Sequence, residues 1–269
     1  MAIYSVPTAA LAAALDDKNM LQVIEHEGAV RELRLARPPV NAMDPALIHE
    51  IRQQILRAPQ DGARAIVLSG APGLFTAGLD VPALLALERS ALAAALGDFF
   101  GIFGALAHSP IPVVAAITGH SPAGGAVMAI FCDYRIMAEG DFRIGLNEVQ
   151  VGLAPPDCVQ LGLRRLVGAY RAERLLVEGK MITAADAMAI GMVDELVPVD
   201  QVIPSALRWL KNLEKVPHGA MLATRAIARA DIKAAYIDGT GPDLEDFLND
   251  WFSGPTQTAL HAMVARLKK

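Results

Sequence analysis

The chain has 269 residues, 53% apolar and 20% charged, which suits one large α/β domain or two small ones and excludes a disordered chain. A net charge of −5 with no Lys/Arg cluster argues against a nucleic-acid surface. Two cysteines, Cys132 and Cys158, are too few for a disulfide framework and read as reduced thiols, with the cytoplasm as the default compartment.

Residues 6–15 are apolar, but no Lys or Arg precedes them and Asp16-Asp17 follow, so they read as a loose or helical lead-in rather than a signal segment. Residues 20–35 read as a hairpin turning at Glu27-Gly28. Arg37-Pro-Pro-Val-Asn-Ala42 is a Pro-stiffened loop. Asp44-Pro45 has the pattern of an N-cap followed by proline at the first helical position, and Leu47, Ile48, Ile51, Ile55 and Leu56 give the helix an apolar face. Ala65–Ser69 reads as a buried parallel strand, followed by a loop from Gly70 and a helix entry at Asp80-Val81-Pro82.

An Ala/Leu-rich helical region then runs to about residue 107. From Phe99 to Cys132 there is no Asp, Glu, Lys or Arg, a length that imitates a membrane span. Three prolines and five glycines in and around the run favour a buried strand (112–118), a tight turn at Gly119–Ala123, and a helix from Gly124-Gly125 to about Phe131. Residues 133–138 read as another strand, with Asp133 bonding locally at its start. Residues 145–157 read as an irregular connection, and 158–178 as one or two helices. Thr183-Ala-Ala-Asp186 resembles a capping box, with Gly191 closing its helix. Met192–Val197 reads as a short strand, and the rest is helical. The pattern is α/β, with a core at 1–199 and a C-terminal helical subdomain at 200–269.

Two turns are candidates for chemistry. Gly78-Leu79 and Gly124-Gly125 each follow an apolar strand and precede a helix, so in a parallel sheet both lie at the strands' carboxyl ends. Converging N–H groups there would suit a developing oxyanion, although glycine turns also serve packing alone. Glu148, among Ile144, Leu146, Val149 and Val151, has the apolar setting of a general base for a weakly acidic C–H; a water-facing loop glutamate is the plain alternative. His120 lacks a nucleophile-elbow context, and the other histidines fit no metal spacing. Walker A and dinucleotide fingerprints are absent.

Four segments together, Phe75-Thr-Ala-Gly-Leu-Asp80, Pro122-Ala-Gly-Gly125, Cys132-Asp-Tyr-Arg-Ile136 and Gly145-Leu-Asn-Glu148, resemble the crotonase (enoyl-CoA hydratase/isomerase) superfamily, and within it the mitochondrial-type Δ3,Δ2-enoyl-CoA isomerases. The resemblance implies a spiral of β-β-α units with C-terminal helices driving trimerisation, either a homotrimer or a dimer of trimers. It implies an acyl-CoA thioester substrate, no metal, and no cofactor beyond the coenzyme A that the substrate carries. The N–H groups of Leu79 and Gly124 would form the oxyanion hole, with Glu148 as catalytic base. Thr76, Ala77, Gly78, Leu79, Asp80, Gly124 and Asn147 would line the acyl-CoA path, and Ala42 with the Arg37 loop would meet the adenine end.

Hydratases of the superfamily carry a second glutamate three residues after the oxyanion-hole glycine. That position here is Val127, and Ala154-Pro-Pro-Asp157 replaces the usual Pro-Gly-x-Gly-Gly. One carboxylate without its partner implies a proton shuttle rather than water addition: a 3-enoyl-CoA is converted to the 2-trans isomer, in fatty-acid β-oxidation. The alternatives are a hydratase or other crotonase-fold lyase, or a non-catalytic acyl-CoA-binding subunit.

Overall fold

A computed structural model describes residues 20–236 and 244–267; the expected lead-in at 6–15 lies outside them. In chain order the first elements are β1 (Leu21–His26), β2 (Val30–Leu35), α1 (Pro45–Arg57), β3 (Ala65–Ser69), β4 (Gly73–Leu74), α2 (Val81–Leu85) and α3 (Arg89–His108). Then come β5 (Val113–Ile117), β6 (Gly119–Pro122), α4 (Gly124–Ile130), β7 (Tyr134–Ala138), β8 (Arg143–Gly145) and a 3-10 turn, Glu148–Val151. They are followed by α5 (Asp157–Val167), α6 (Ala169–Glu178), β9 (Ile182–Thr183), α7 (Ala184–Ala189) and β10 (Glu195–Val197). A short 3-10 turn leads into α8 (Val202–Leu213), α9 (His218–Ala228), α10 (Ala230–Ala234), α11 (Glu245–Trp251) and α12 (Gly254–Leu267).

The strands form two sheets. Six pair in the order β1-β2-β3-β5-β7-β10, all parallel except the β1–β2 hairpin. Four shorter ones pair in the order β4-β6-β8-β9. Successive units give one strand to each sheet and then a helix: β3-β4-α2/α3, β5-β6-α4, and β7-β8 followed by α5. This is the crotonase-type β-β-α spiral.

The central strands of the large sheet are apolar throughout because both faces are covered. Along β5, Val113, Ala115 and Ile117 face the main core, while Val114 and Ala116 face Val202, Ala206 and Leu210 of α8. The tight turn expected at 119–123 is instead strand β6. Its Gly119 pairs with Gly73 so closely that a Cβ on it would lie 1.9 Å from the Gly73 carbonyl carbon, so a chain of turn-forming residues is held in a ladder by contact with its neighbour. α3 is long and apolar enough to cross a membrane, but it is the central core helix, with Leu92, Leu96, Phe99, Phe100 and Phe103 buried.

Caps at Asp44, Asp80 and Thr183 start their helices as the sequence suggests, each side chain accepting from a backbone N–H of the first turn. The helices beyond residue 200 share the core of the preceding units. Phe131 packs edge-on against Tyr236 at 5.4 Å, Phe100 packs edge-on against Phe247 at 5.5 Å, and Trp251 and Leu260 are fully buried.

Asp133, expected to bond locally, does more. Its Oδ2 accepts from Val113 N–H at 2.8 Å, and Arg225 grips both its oxygens at 2.8 Å. Arg229 approaches Asp133 at 3.2 Å and donates to the Phe131 carbonyl at 2.6 Å, neutralising the carboxyl end of α4. Removing one partner of a buried ion pair strands the other charges. Asp133→Ala is therefore expected to lower unfolding free energy by about 3–5 kcal/mol in urea titration, with Arg225→Ala acting in the same direction.

Candidate active site

The first turn is built by the Arg37–Asp44 loop. Asn41, buried and at φ 50°, accepts from Arg37 N–H at 2.9 Å and donates from its amide to the Phe75 carbonyl at 3.0 Å. Thr76 donates its hydroxyl to the Asn41 carbonyl at 2.6 Å and receives Gly78 N–H at 3.1 Å. The Thr76 side chain is fully buried and serves the turn rather than its surface. Ala77 N–H donates to the Val40 carbonyl at 3.0 Å. Asp80 caps α2 and pairs with Arg37 at 2.8 Å, while Arg37 also donates to the Ala42 carbonyl at 2.8 Å and lies 3.2 Å from Asp44. The Arg37 guanidinium is thus held by two helix-capping carboxylates.

The second turn abuts the first. A Cβ on Gly78 would lie 3.5 Å from the Gly124 nitrogen and 3.4 Å from the Pro122 carbonyl oxygen. Gly124 opens α4, where no side chain caps the helix, and Ala123 before it holds a strained φ of 46°. Among the described residues, neither Leu79 N–H nor Gly124 N–H has an acceptor. The two turns read from the sequence therefore adjoin in the fold, and each carries an unbonded backbone donor.

The carboxylate arrives along β8. Ser121 and Pro122 of β6 pair with Ile144 and Gly145, and Ala123 N–H donates to the Gly145 carbonyl at 2.8 Å. Asn147 and Glu148 follow two and three residues later. Asn147 Oδ1 and Glu148 Oε2 are both buried without a hydrogen-bond partner. Burial pushes the Glu148 carboxyl up to about 7, against a smaller lowering by its own backbone N–H. The residue itself is only half-buried, so the apolar shell encloses the carboxyl end while part of the residue remains open. α12 closes one side of this turn, with Thr256 donating to the Gly152 carbonyl at 3.0 Å. Val127, one turn into α4, is buried and offers no polar atom.

Three contributors escaped the sequence reading. Asn41 had a usable signal, since asparagine after a rigid Pro-Pro-Val tolerates the left-handed region. Ser121 Oγ is buried without a partner, and Met43 lies between the two turns; neither had a sequence signal.

Residues 25–249 match the protein family described as enoyl-CoA hydratase/isomerase. The chain belongs to that family. Enoyl-CoA delta isomerase 1, mitochondrial, of Rattus norvegicus is 30% identical over 256 residues, 94% of this chain and 89% of that protein. A probable enoyl-CoA hydratase of Mycobacterium avium is 32% identical over 198 residues, 72% of this chain and 76% of that one. The crystal structure of human mitochondrial Δ3-Δ2-enoyl-CoA isomerase superposes with a TM-score of 0.87 at 30% identity, covering 93% of this chain and 98% of the other. This member of the enoyl-CoA hydratase/isomerase family is accordingly an enzyme with an acyl-CoA substrate. Its relatives' names span both isomerase and hydratase, so the reaction has to be argued from the site.

Proposed function

We propose that the protein is a Δ3,Δ2-enoyl-CoA isomerase of fatty-acid β-oxidation, working through Glu148 as a single proton shuttle. The observation that carries this reading is the pairing of a dry Glu148 carboxyl, near neutrality in pKa, with a buried valine at position 127. Hydration needs a second acid–base group to hold and activate water, and Val127 has nothing to offer it.

The thioester makes the C2 proton of a 3-enoyl-CoA weakly acidic. Glu148 takes that proton, and the C2–H electron pair moves onto the thioester oxygen as an enolate. Leu79 N–H and Gly124 N–H receive the developing charge, each such donor being worth about 3–4 kcal/mol in related chemistry. The enolate collapses with the double bond at C2–C3, and Glu148 returns the proton to C4. Leu146, Val149 and Val151 around the turn keep the shuttled proton from exchanging with water. Asn147 and the Ala77–Asp80 backbone line the acyl-CoA path in this reading, and Ala42 lies toward the adenine end.

The test offers 3-enoyl-CoA and 2-enoyl-CoA in parallel. Conversion of the first without hydration of the second supports the isomerase. Hydration of the second favours the hydratase or lyase, and binding without turnover favours an acyl-CoA-binding subunit. Because the base acts ionised, kcat/KM should rise with pH to half its plateau at about 7, rather than near the ordinary glutamate value of 4.5, in a pH–rate profile.

The proposal includes a homotrimer or dimer of trimers. α9 buries none of its residues in the chain, and Ile227 on it is 78% exposed, an apolar helix face of the kind that subunits cover. Light scattering on the eluted protein should give three or six times the 28.5 kDa chain mass. Two unpaired, buried cysteines fit a reducing compartment, and the cytoplasm is the one proposed.

A further inference from the structure

Met43 touches both halves of the donor pair, and no step above uses it. Its main chain bridges Leu79 in parallel: Met43 N–H donates to the Gly78 carbonyl at 2.8 Å, and the Met43 carbonyl accepts Asp80 N–H at 2.9 Å. In one trans peptide group the C=O and the N–H point in opposite directions. With Gly78 O and Asp80 N–H facing Met43, the Leu79 N–H is turned to the other edge, where it is unbonded. The Met43 side chain runs to the second turn. Its Cε lies 3.0 Å from the point that a Cβ on Gly124 would occupy, beside Phe99 Cζ at 2.8 Å. The residue is fully buried, and its backbone is fixed at one donor while its thioether tip supports the other.

We infer that Met43 is a positioning residue that sets the spacing of the Leu79 and Gly124 N–H groups, and so the polarisation of the substrate's thioester carbonyl. A residue that merely fills the core would change stability when truncated and leave that polarisation alone. An unbranched side chain suits the role, because it can reach from one turn to the other without crowding either. The inference rests on the oxyanion-hole reading proposed above, but not on which reaction follows enolate formation.

The experiment reads polarisation directly. 4-Dimethylaminocinnamoyl-CoA is a chromophoric thioester whose absorption moves to the red when its carbonyl is polarised. It is bound to wild type, Met43→Ala, Met43→Leu and Leu106→Ala, the last a fully buried residue at the far end of α3. Wild type should show the red shift. Met43→Ala should bind within about threefold of wild type yet lose roughly half or more of the shift, with isomerisation kcat down about ten- to hundred-fold, as small misplacements of reacting groups do. Met43→Leu, near in volume, should recover most of both. Leu106→Ala should keep the full shift despite a comparable loss of thermal stability. If Met43→Ala does not fold, Met43→Val replaces it with the same outcomes read.

A full shift in the truncated variant overturns the role of Met43, as does an equal loss of shift in Leu106→Ala. No shift in wild type overturns the shared donor pair and this inference with it, so the two failures appear in different proteins.

Discussion

Glu148→Gln is expected to lower isomerisation kcat by about 10²- to 10⁴-fold while leaving acyl-CoA binding near wild type, measured by steady-state kinetics and by titration with a non-reactive thioester. Glutamine keeps the shape of the side chain and removes the ability to take a proton. Asp80, the carboxylate on the first donor turn, is committed to Arg37 and to the first turn of α2. Full activity in the variant would remove Glu148 from the mechanism. A stability measurement separates chemistry from folding. The folded carboxyl holds its proton up to about pH 7, whereas an ordinary glutamate releases it near 4.5. Between those values the folded state binds more protons than the unfolded state, so the wild type loses stability as pH rises through the window. The variant does not titrate there. It should therefore gain on the wild type by about 3 kcal/mol between pH 4 and pH 8, read from urea titrations at the two ends. A less active protein that is relatively more stable at high pH would mark a group buried for function.

The second large effect is expected at Gly124. A Cβ there would stand 2.8 Å and 2.9 Å from two carbons of the Phe99 ring and 3.0 Å from Met43 Cε. The Phe99 ring cannot easily retreat, because it packs edge-on against Phe103 at 4.8 Å and Phe100 at 5.4 Å. The backbone of the turn must move instead, and with it the donor N–H. Gly124→Ala should cost about 10²- to 10³-fold in kcat, comparable to removal of an oxyanion donor. Overpacking should add about 1–3 kcal/mol of destabilisation. Gly97→Ala supplies a control in the same assay and the same denaturation series. That position in the middle of α3 meets only Leu244 Cδ1, at 4.0 Å from its absent Cβ, and alanine should stabilise it by about 0.5–1 kcal/mol without touching activity. A Gly124→Ala enzyme with wild-type kcat would show that its N–H is not a donor.

How far the fold was readable from sequence depended on how its segments are stabilised. β3 and β5 stood out because both their faces are buried, which demands uninterrupted apolar side chains. The helix entries at Asp44, Asp80 and Thr183 stood out because capping is local chemistry between neighbours in sequence. The small sheet was not legible. β4 and β9 have two residues each, β8 has three, and β6 is Gly-His-Ser-Pro; such segments are strands only because another strand lies alongside. The site divides the same way. Glu148's apolar neighbours could be seen in its own segment. The approach of Gly78 to Gly124, the clamp of Asn41 on Phe75 and the seat of Met43 between two turns are long-range contacts without a local pattern. Asp133 illustrates the difference in one residue: a local bond at the strand start was the expectation, whereas its partners are the Val113 N–H of the neighbouring strand and two arginines, on α9 and in the turn after it, 92 and 96 residues downstream.

The hydroxyl of Thr256 reaches back across 104 residues to the carbonyl of Gly152, at the end of the turn that carries Glu148. During synthesis the amino-terminal units leave the ribosome first. Both donor turns can then assemble while the carboxylate turn still lacks one wall. In the proposed mechanism, the Glu148 turn is fully walled only when α12 has emerged and docked. On that mechanism, catalytic competence is expected late in the life of each nascent chain, once the last helix has closed on the turn.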